Sequence, residues 1–309
     1  MKKGIILESD KDIIINSYLK GDSLDAISRS FHVNSTRIKD VLIKNNISIR
    51  GKGIQVDKSK YCTNKKYTFD EDFFEVINNE FKAYWLGFIY ADGNVYMPKP
   101  ITKDGKTKGG RLDISLKAED DYHLMNFEYD LNGNMGIKYR DMKLGDKIYP
   151  ACRLTVNSIK MVNDLIKHGC VPNKSLILEF PKHLSKDMLP HFIRGYIDGD
   201  GCIFFKVYDN TSTFSVSLLG TENFLFDIKH ILEGHGIICK DIVPQKSKAF
   251  CLHIYGRDNL VNLYNLLYGD AIIFLGRKID LFRKALFYYK KDFIISEISK
   301  MVSEMDWSD

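Results

Sequence analysis

The stretches "WLGFIYADG" (Trp85–Gly93) and "IRGYIDGDG" (Ile193–Gly201) share one plan, and their terminal acids, Asp92 and Asp200, stand 108 residues apart. Each is mostly apolar, holds a glycine at its third position and closes on Asp-Gly. A glycine inside a helix costs up to about 1 kcal/mol relative to alanine. A carboxylate at a helix C-terminus faces the negative end of the macrodipole. A chain that accepts both costs twice, at domain-sized spacing, reads as two duplicated halves meeting through these helices. Gly87 and Ala91 lie one turn apart, as do Gly195 and Gly199. Small residues at that spacing let helix backbones approach closely, a rule taken here by geometry from membrane helices.

The segments downstream of each stretch repeat as well. The first copy supplies "NVYM", "RLDISLK", "YHLMNFEYDL", "GIKYR", "ACRLTVN" and "IKMVNDLIKHG". The second supplies "CIFFKV", "TFSVSLLG", "NFLFDIKHILEGHG", "AFCLHIYG" and "NLVNLYNLLYG". Leu112, Ile114 and Leu116 alternate with Arg111, Asp113, Ser115 and Lys117, the period of a strand with one apolar and one wet face. Each half therefore reads as αββαββα, an α+β unit with an antiparallel sheet.

Ahead of the duplication, residues 10–50 predict three short helices: 12–20, stopped by Gly21; 24–30, capped by Ser23; and one reaching Lys44, capped by Asn34 or Ser35. Leu24, Ile27, Val33, Ile38, Val41 and Leu42 form its expected core. The pattern resembles a helix-turn-helix, whose second helix offers Ser35, Thr36, Arg37 and Lys39 to a major groove, with Arg50 in the basic tail "SIRGKG". Charge agrees: residues 1–66 hold 14 Lys/Arg against seven Asp/Glu, while the whole chain is only +5. A three-helix module that binds protein is the plainer alternative. The expected domains are 1–50, a linker 51–79, a first half 80–185 and a second half 186–309. Six scattered cysteines without CxxC spacing exclude zinc ribbons and disulfide frameworks. No signal-peptide core or membrane-length apolar run is present. The expected compartment is the cytoplasm of a bacterial or phage-infected cell, or an organelle, with no membrane partner.

Two carboxylates packed side by side at helix C-termini repel each other, and either a shared proton or a divalent cation relieves them. Hard oxygen ligands beside nucleic acid favour Mg²⁺. The paired motifs resemble the signature of the LAGLIDADG homing endonucleases in the double-motif, monomeric form, over about residues 80–290. The resemblance implies two saddle-shaped sheets, and Asp92 and Asp200 as catalytic metal ligands, helped by main-chain carbonyls near Ala91 and Gly199. It also implies a basic residue late in each half beside the scissile phosphate; Lys174 and Lys278 stand there. Staggered cuts with short 3′ overhangs are implied too. Position six of the motif is Tyr90 in one copy and Asp198 in the other, a variation of small consequence for catalysis.

Wet sheet faces laid in a major groove would read double-stranded DNA. The candidates are Arg111, Lys117, Lys138, Arg140 and Arg153 in the first half, and Lys206, Tyr208, Ser215, Ser217 and His253 in the second. The second set is less basic, as suits a long non-palindromic site. The expected activity is site-specific, Mg²⁺-dependent double-strand cleavage by a monomer. The rivals are an RNA maturase that binds intron RNA and a non-cutting DNA-binding regulator of the same fold. An intein is disfavoured: the chain opens on Met1 and closes on "DWSD".

Overall fold

Apolar residues spaced along the N-terminal segment produce α1 (Lys11–Leu19), α2 (Leu24–Ser30) and α3 (Ser35–Lys44). Ile14, Tyr18, Ile27, Ile38 and Leu42 are buried together, with Leu24, Val33 and Val41 partly buried against them. Ile14 and Tyr18 of α1 thus complete a core that the sequence pattern assigned to α2 and α3. The computed structural model describes residues 10–19, 22, 24–31, 33, 35–45, 47, 49, 67–98, 109–145, 147–208, 212–246 and 248–289. Arg50, the expected caps Gly21, Ser23 and Asn34, and the expected linker through residue 66 lie outside them. Residues 1–65 form one unit and 66–309 another. The linker ends earlier than residue 79: Phe69, Phe73 and Phe74 are buried in the core of the larger unit. Three aromatics within six positions drive that docking, an apolar content that outweighs the local lack of periodicity.

The larger unit carries two halves of one order. The first is α4 (Glu80–Asp92), β1 (Gly93–Tyr96), β2 (Arg111–Lys117), α5 (Asp121–Asp130), β3 (Lys138–Leu144), β4 (Lys147–Asn157) and α6 (Ile159–Lys167). The second is α7 (Leu189–Asp200), β5 (Cys202–Val207), β6 (Ser212–Gly220), α8 (Glu222–Gly234), β7 (Val243–Pro244), β8 (Phe250–Tyr255) and α9 (Arg257–Tyr268). A further helix, α10, covers 276–289. The antiparallel sheets run β1-β2-β4-β3 and β5-β6-β8-β7, the same topology twice.

α4 starts on Asn79, whose side chain accepts from Lys82 N at 3.0 Å. It is apolar on every side because every side is covered: residues 83–90 are buried without a gap. Its partner is α7, which begins with Pro190 in its first turn. A Cβ on Gly87 would collide with the main-chain oxygen of Phe192, and one on Gly195 with that of Tyr84. One on Gly199 would strike the Ala91 methyl. Gly87 with Phe192 and Gly195 with Tyr84 are the same contact in exchanged copies, so the two helices cross about a local two-fold axis. The small residues are the crossing point. Arg194 of α7, 1% exposed, locks it from the side: Nη2 meets Glu80 Oε1 at 2.6 Å, while Nε and Nη1 donate to Ile273 O and Leu267 O.

Candidate active site

Each crossing helix ends on its acid because the chain turns straight into a strand. Gly93 and Gly201 have extended backbone, φ −75° and −65°, so neither position calls for left-handed freedom. What calls for glycine is proximity: a Cβ would lie 2.7 Å from Ile89 O at Gly93, and 2.6 Å from Ile197 O at Gly201. With the crossing fixed by glycine, Asp92 and Asp200 come to the same end of the helix pair. Asp92 is half-buried and Asp200 more open. Burial, then the charge of Asp200, pushes the Asp92 carboxyl up to about 6. Burial also raises Asp200, opposed by Lys174 and Lys278.

The two late lysines reach the same place. Lys174 is 9% exposed, comes directly after Asn173 in left-handed backbone (φ 55°), and donates Nζ to Gly93 O. Lys278 sits in the first turn of α10, 4% exposed, and donates to Ile197 O, Gly199 O and Gly201 O at 2.6, 3.0 and 2.6 Å. Burial draws its ammonium down to about 8, against the pull of Asp198 and the two acids. An ammonium has three hydrogens, and here all three are spent on carbonyls at the α7 terminus, one of which, Ile197 O, also accepts from Gly201 N; positive charge there opposes the dipole. Lys278 therefore acts from this position as a fixed charge beside the acids, and a direct hydrogen bond to a phosphate needs one carbonyl released. The same bond engages Gly199 O, an oxygen the resemblance assigned to metal. Ala91 lies at the matching level of α4, half-buried.

Sequence reasoning missed the role of Asp198. It is fully buried and accepts from Tyr84 Oη at 2.8 Å, Tyr268 Oη at 2.7 Å and Leu275 N at 2.7 Å. Burial raises its pKa while these bonds oppose. Tyr84 in turn meets His123 Nε2 at 3.0 Å, and burial pushes that ring down to about 3, so it is neutral. Tyr84 spends its proton on Asp198, so Nε2–H of His123 donates to it. The equivalent residue of the first motif, Tyr90, donates to His168 O. Position six in both copies thus tethers the segment that carries the late lysine. The only signal in the sequence was an acid two places before another in an apolar helix.

On the first wet face, Arg111 and Arg153 are not free. Asp113, 3% exposed, accepts from Arg153 Nε at 3.0 Å and Thr155 Oγ1 at 2.7 Å through Oδ1. Its Oδ2 faces Arg111 Nε at 2.7 Å and Arg153 Nη2 still closer, ion contacts too poorly angled for hydrogen bonds. Burial alone would raise Asp113, but the Arg153 and Thr155 bonds and both guanidinium charges hold it low. Lys117, Lys138 and Arg140 are exposed. In the second half Lys206 lies over the Tyr208 ring at 4.9 Å; Ser215, Ser217 and His253 are half-buried, with His253 Nε2 3.3 Å from Cys251 Sγ. On α3, Ser35 is half-buried and Thr36, Arg37 and Lys39 exposed.

Two like halves, each with a four-stranded antiparallel sheet, joined by a two-fold helix crossing with an acid at each helix tip, define a duplicated α+β fold. No family model and no curated relative matches the chain. Among solved structures it is similar to the LAGLIDADG homing endonuclease I-GzeII in complex with its DNA target: TM-score 0.47, 15% identity, 75% of this chain and 99% of that one. It is similar too to the meganuclease I-SmaMI bound to uncleaveable DNA, at TM-score 0.46, 14% identity, 76% of this chain and 99% of that one. A third, the LAGLIDADG homing endonuclease I-LtrWI bound to target DNA, has TM-score 0.45 and 14% identity over 77% of this chain and 99% of that one.

Among the described residues no three His, Cys, Asp or Glu side chains surround one point. A cation between Asp92 and Asp200 would be completed by main-chain or phosphate oxygens, which suits Mg²⁺, an ion held by one or two carboxylates plus phosphate. The donors fit: both are hard, and both have raised pKa values that a divalent charge relieves. No helix among the described residues is long and apolar enough to cross a membrane.

Proposed function

We propose that the protein is a site-specific double-strand DNA endonuclease that hydrolyses one phosphodiester on each strand with Mg²⁺. One observation carries this: two carboxylates that would repel are brought together at the helix tips, each beside a buried lysine, with a wet sheet on either side. Asp92 and Asp200 would hold the ion, one acid serving each strand. The bound ion supplies positive charge at the attacked phosphate and an acidified water. Lys174 and Lys278 offset the acids' repulsion, keep them charged near neutral pH, and set a positive field where charge develops on the phosphate. The sheets fix the duplex, and α3 adds contacts that lengthen the recognised sequence. The protein acts as a monomer, since one chain supplies both acids. A regulator would have no use for two mutually repelling acids at a cleft mouth.

The test is incubation of the full chain with a randomised duplex library and Mg²⁺, then sequencing of cut ends. A single staggered cut position with 3′ overhangs is expected. Bound but uncut DNA, or accelerated intron removal from precursor RNA without DNA cleavage, would overturn the assignment.

A further inference from the structure

Strand register lets the two sheets be compared position by position. Asn94 pairs with Asp113, and Asp113 with Thr155; in the second sheet Cys202 pairs with Ser217, and Ser217 with His253. Ser217 therefore occupies the place of Asp113. By the same ladders Ser215 stands for Arg111 and Cys251 for Arg153. The fold builds this part of the sheet without an ion cluster in one half, so the cluster in the other is not something strand pairing requires.

The cluster has the chemistry of a reader. Asp113 is 3% exposed, while the Arg111 and Arg153 side chains are 45% and 24% exposed. The acid lies beneath and the guanidiniums reach the surface. Arg111 is held through Nε and lies with its guanidinium 5.4 Å from the Tyr96 ring centre. No hydrogen bond among the described residues engages its Nη1 or Nη2. Those two nitrogens form the fork that matches guanine O6 and N7 in the major groove. Holding the side chain beforehand removes rotamer entropy that binding would otherwise cost. Two guanidiniums on one carboxylate leave a net positive charge facing outward. Neighbouring Asn94 is the second residue after Asp92, so the cluster sits close to the cleft on the first half's side.

We infer that Arg111 and Arg153, set by Asp113 as a positioning residue, select guanine in the half-site beneath the first sheet near the cut, and that the half-site beneath the second sheet carries no matching guanine requirement. This inference rests on the DNA-cleaving function proposed for the cleft.

The experiment is binding selection from a randomised duplex library in EDTA, where cutting is off, using the full chain. Wild type should return one or two fixed G·C pairs on one side of the cut position. Arg111→Ala and Asp113→Asn should each lower the guanine preference there about tenfold, the scale of one bidentate base contact, and leave the other half-site's profile intact. Affinity of Asp113→Asn for unselected duplex should hold or rise, since a negative charge leaves the DNA face. Should Asp113→Asn fail to fold, the triple change Arg111→Ser, Asp113→Ser, Arg153→Cys installs residues the second sheet already accommodates, and it should lose guanine selection in that half-site while the other half-site's profile persists. A cutting wild type whose guanine profile survives these changes would overturn the clamp and leave the nuclease standing. A wild type that selects no duplex would overturn both.

Discussion

In the proposed nuclease Asp92 and Asp200 hold the metal, and each role is separable by an isosteric change. Asp92→Asn or Asp200→Asn is expected to keep DNA affinity within about tenfold, or 1.4 kcal/mol, while double-strand breaks vanish in a gel assay. Full cleavage by either variant would remove the substituted acid from the chemistry. The raised pKa of Asp92, about 6, has a thermodynamic signature without DNA. A carboxyl whose folded pKa exceeds its unfolded one stabilises the fold below the unfolded value, and that contribution is lost as pH rises through the folded value. Under chelator, wild type should therefore lose stability relative to Asp92→Asn between about pH 4 and pH 7, by on the order of 2 kcal/mol. Parallel melting curves for the two proteins would contradict it. Asp198 belongs to stability and placement: three donors converge on it. Asp198→Asn turns an amide against one of them and is expected to cost about 1–3 kcal/mol in urea unfolding.

The element that matters most is the α4–α7 pair, because the crossing brings the two acids to one place. Gly87→Ala or Gly195→Ala drives a methyl into a main-chain oxygen of the partner helix, and backbone cannot move aside as a side chain can. Each is expected to cost about 3 kcal/mol, the upper end for overpacking, and to cut activity as the tips separate. Gly234→Ala, where a Cβ meets nothing within 4 Å, is the control, neutral or stabilising by up to about 1 kcal/mol. Denaturation midpoints of the three variants decide the matter. The β3–β4 ladder, paired from Lys138 with Arg153 to Leu144 with Lys147, is much longer than the two-residue β7 of the second half. With the Arg111–Asp113–Arg153 cluster it makes the first sheet the more cationic of the two.

At the scale of the molecule, the basic N-terminal unit and the larger unit are separate bodies in sequence and contacts. A chain of residues 66–309 is expected to retain cleavage, with weaker binding and a shallower dependence of log affinity on log salt, because phosphate contacts are lost. An unchanged salt slope would deny α3 its DNA role. The amino-acid sequence by itself determined the duplication, the element order, the crossing glycines, the two acids and the two lysines, since each is a matter of period or spacing along the chain. It ended the linker too late, because docking of Phe69, Phe73 and Phe74 depends on a surface made elsewhere. Only the tertiary structure decided what the charged groups do. Arg153 and Asp113 are 40 residues apart, Lys278 and Gly201 77, Tyr84 and Asp198 114. Whether such side chains are free, clamped or capping is set by strand register and helix crossing, and energies of burial and charge pairing depend on distances in space that spacing along the chain does not encode.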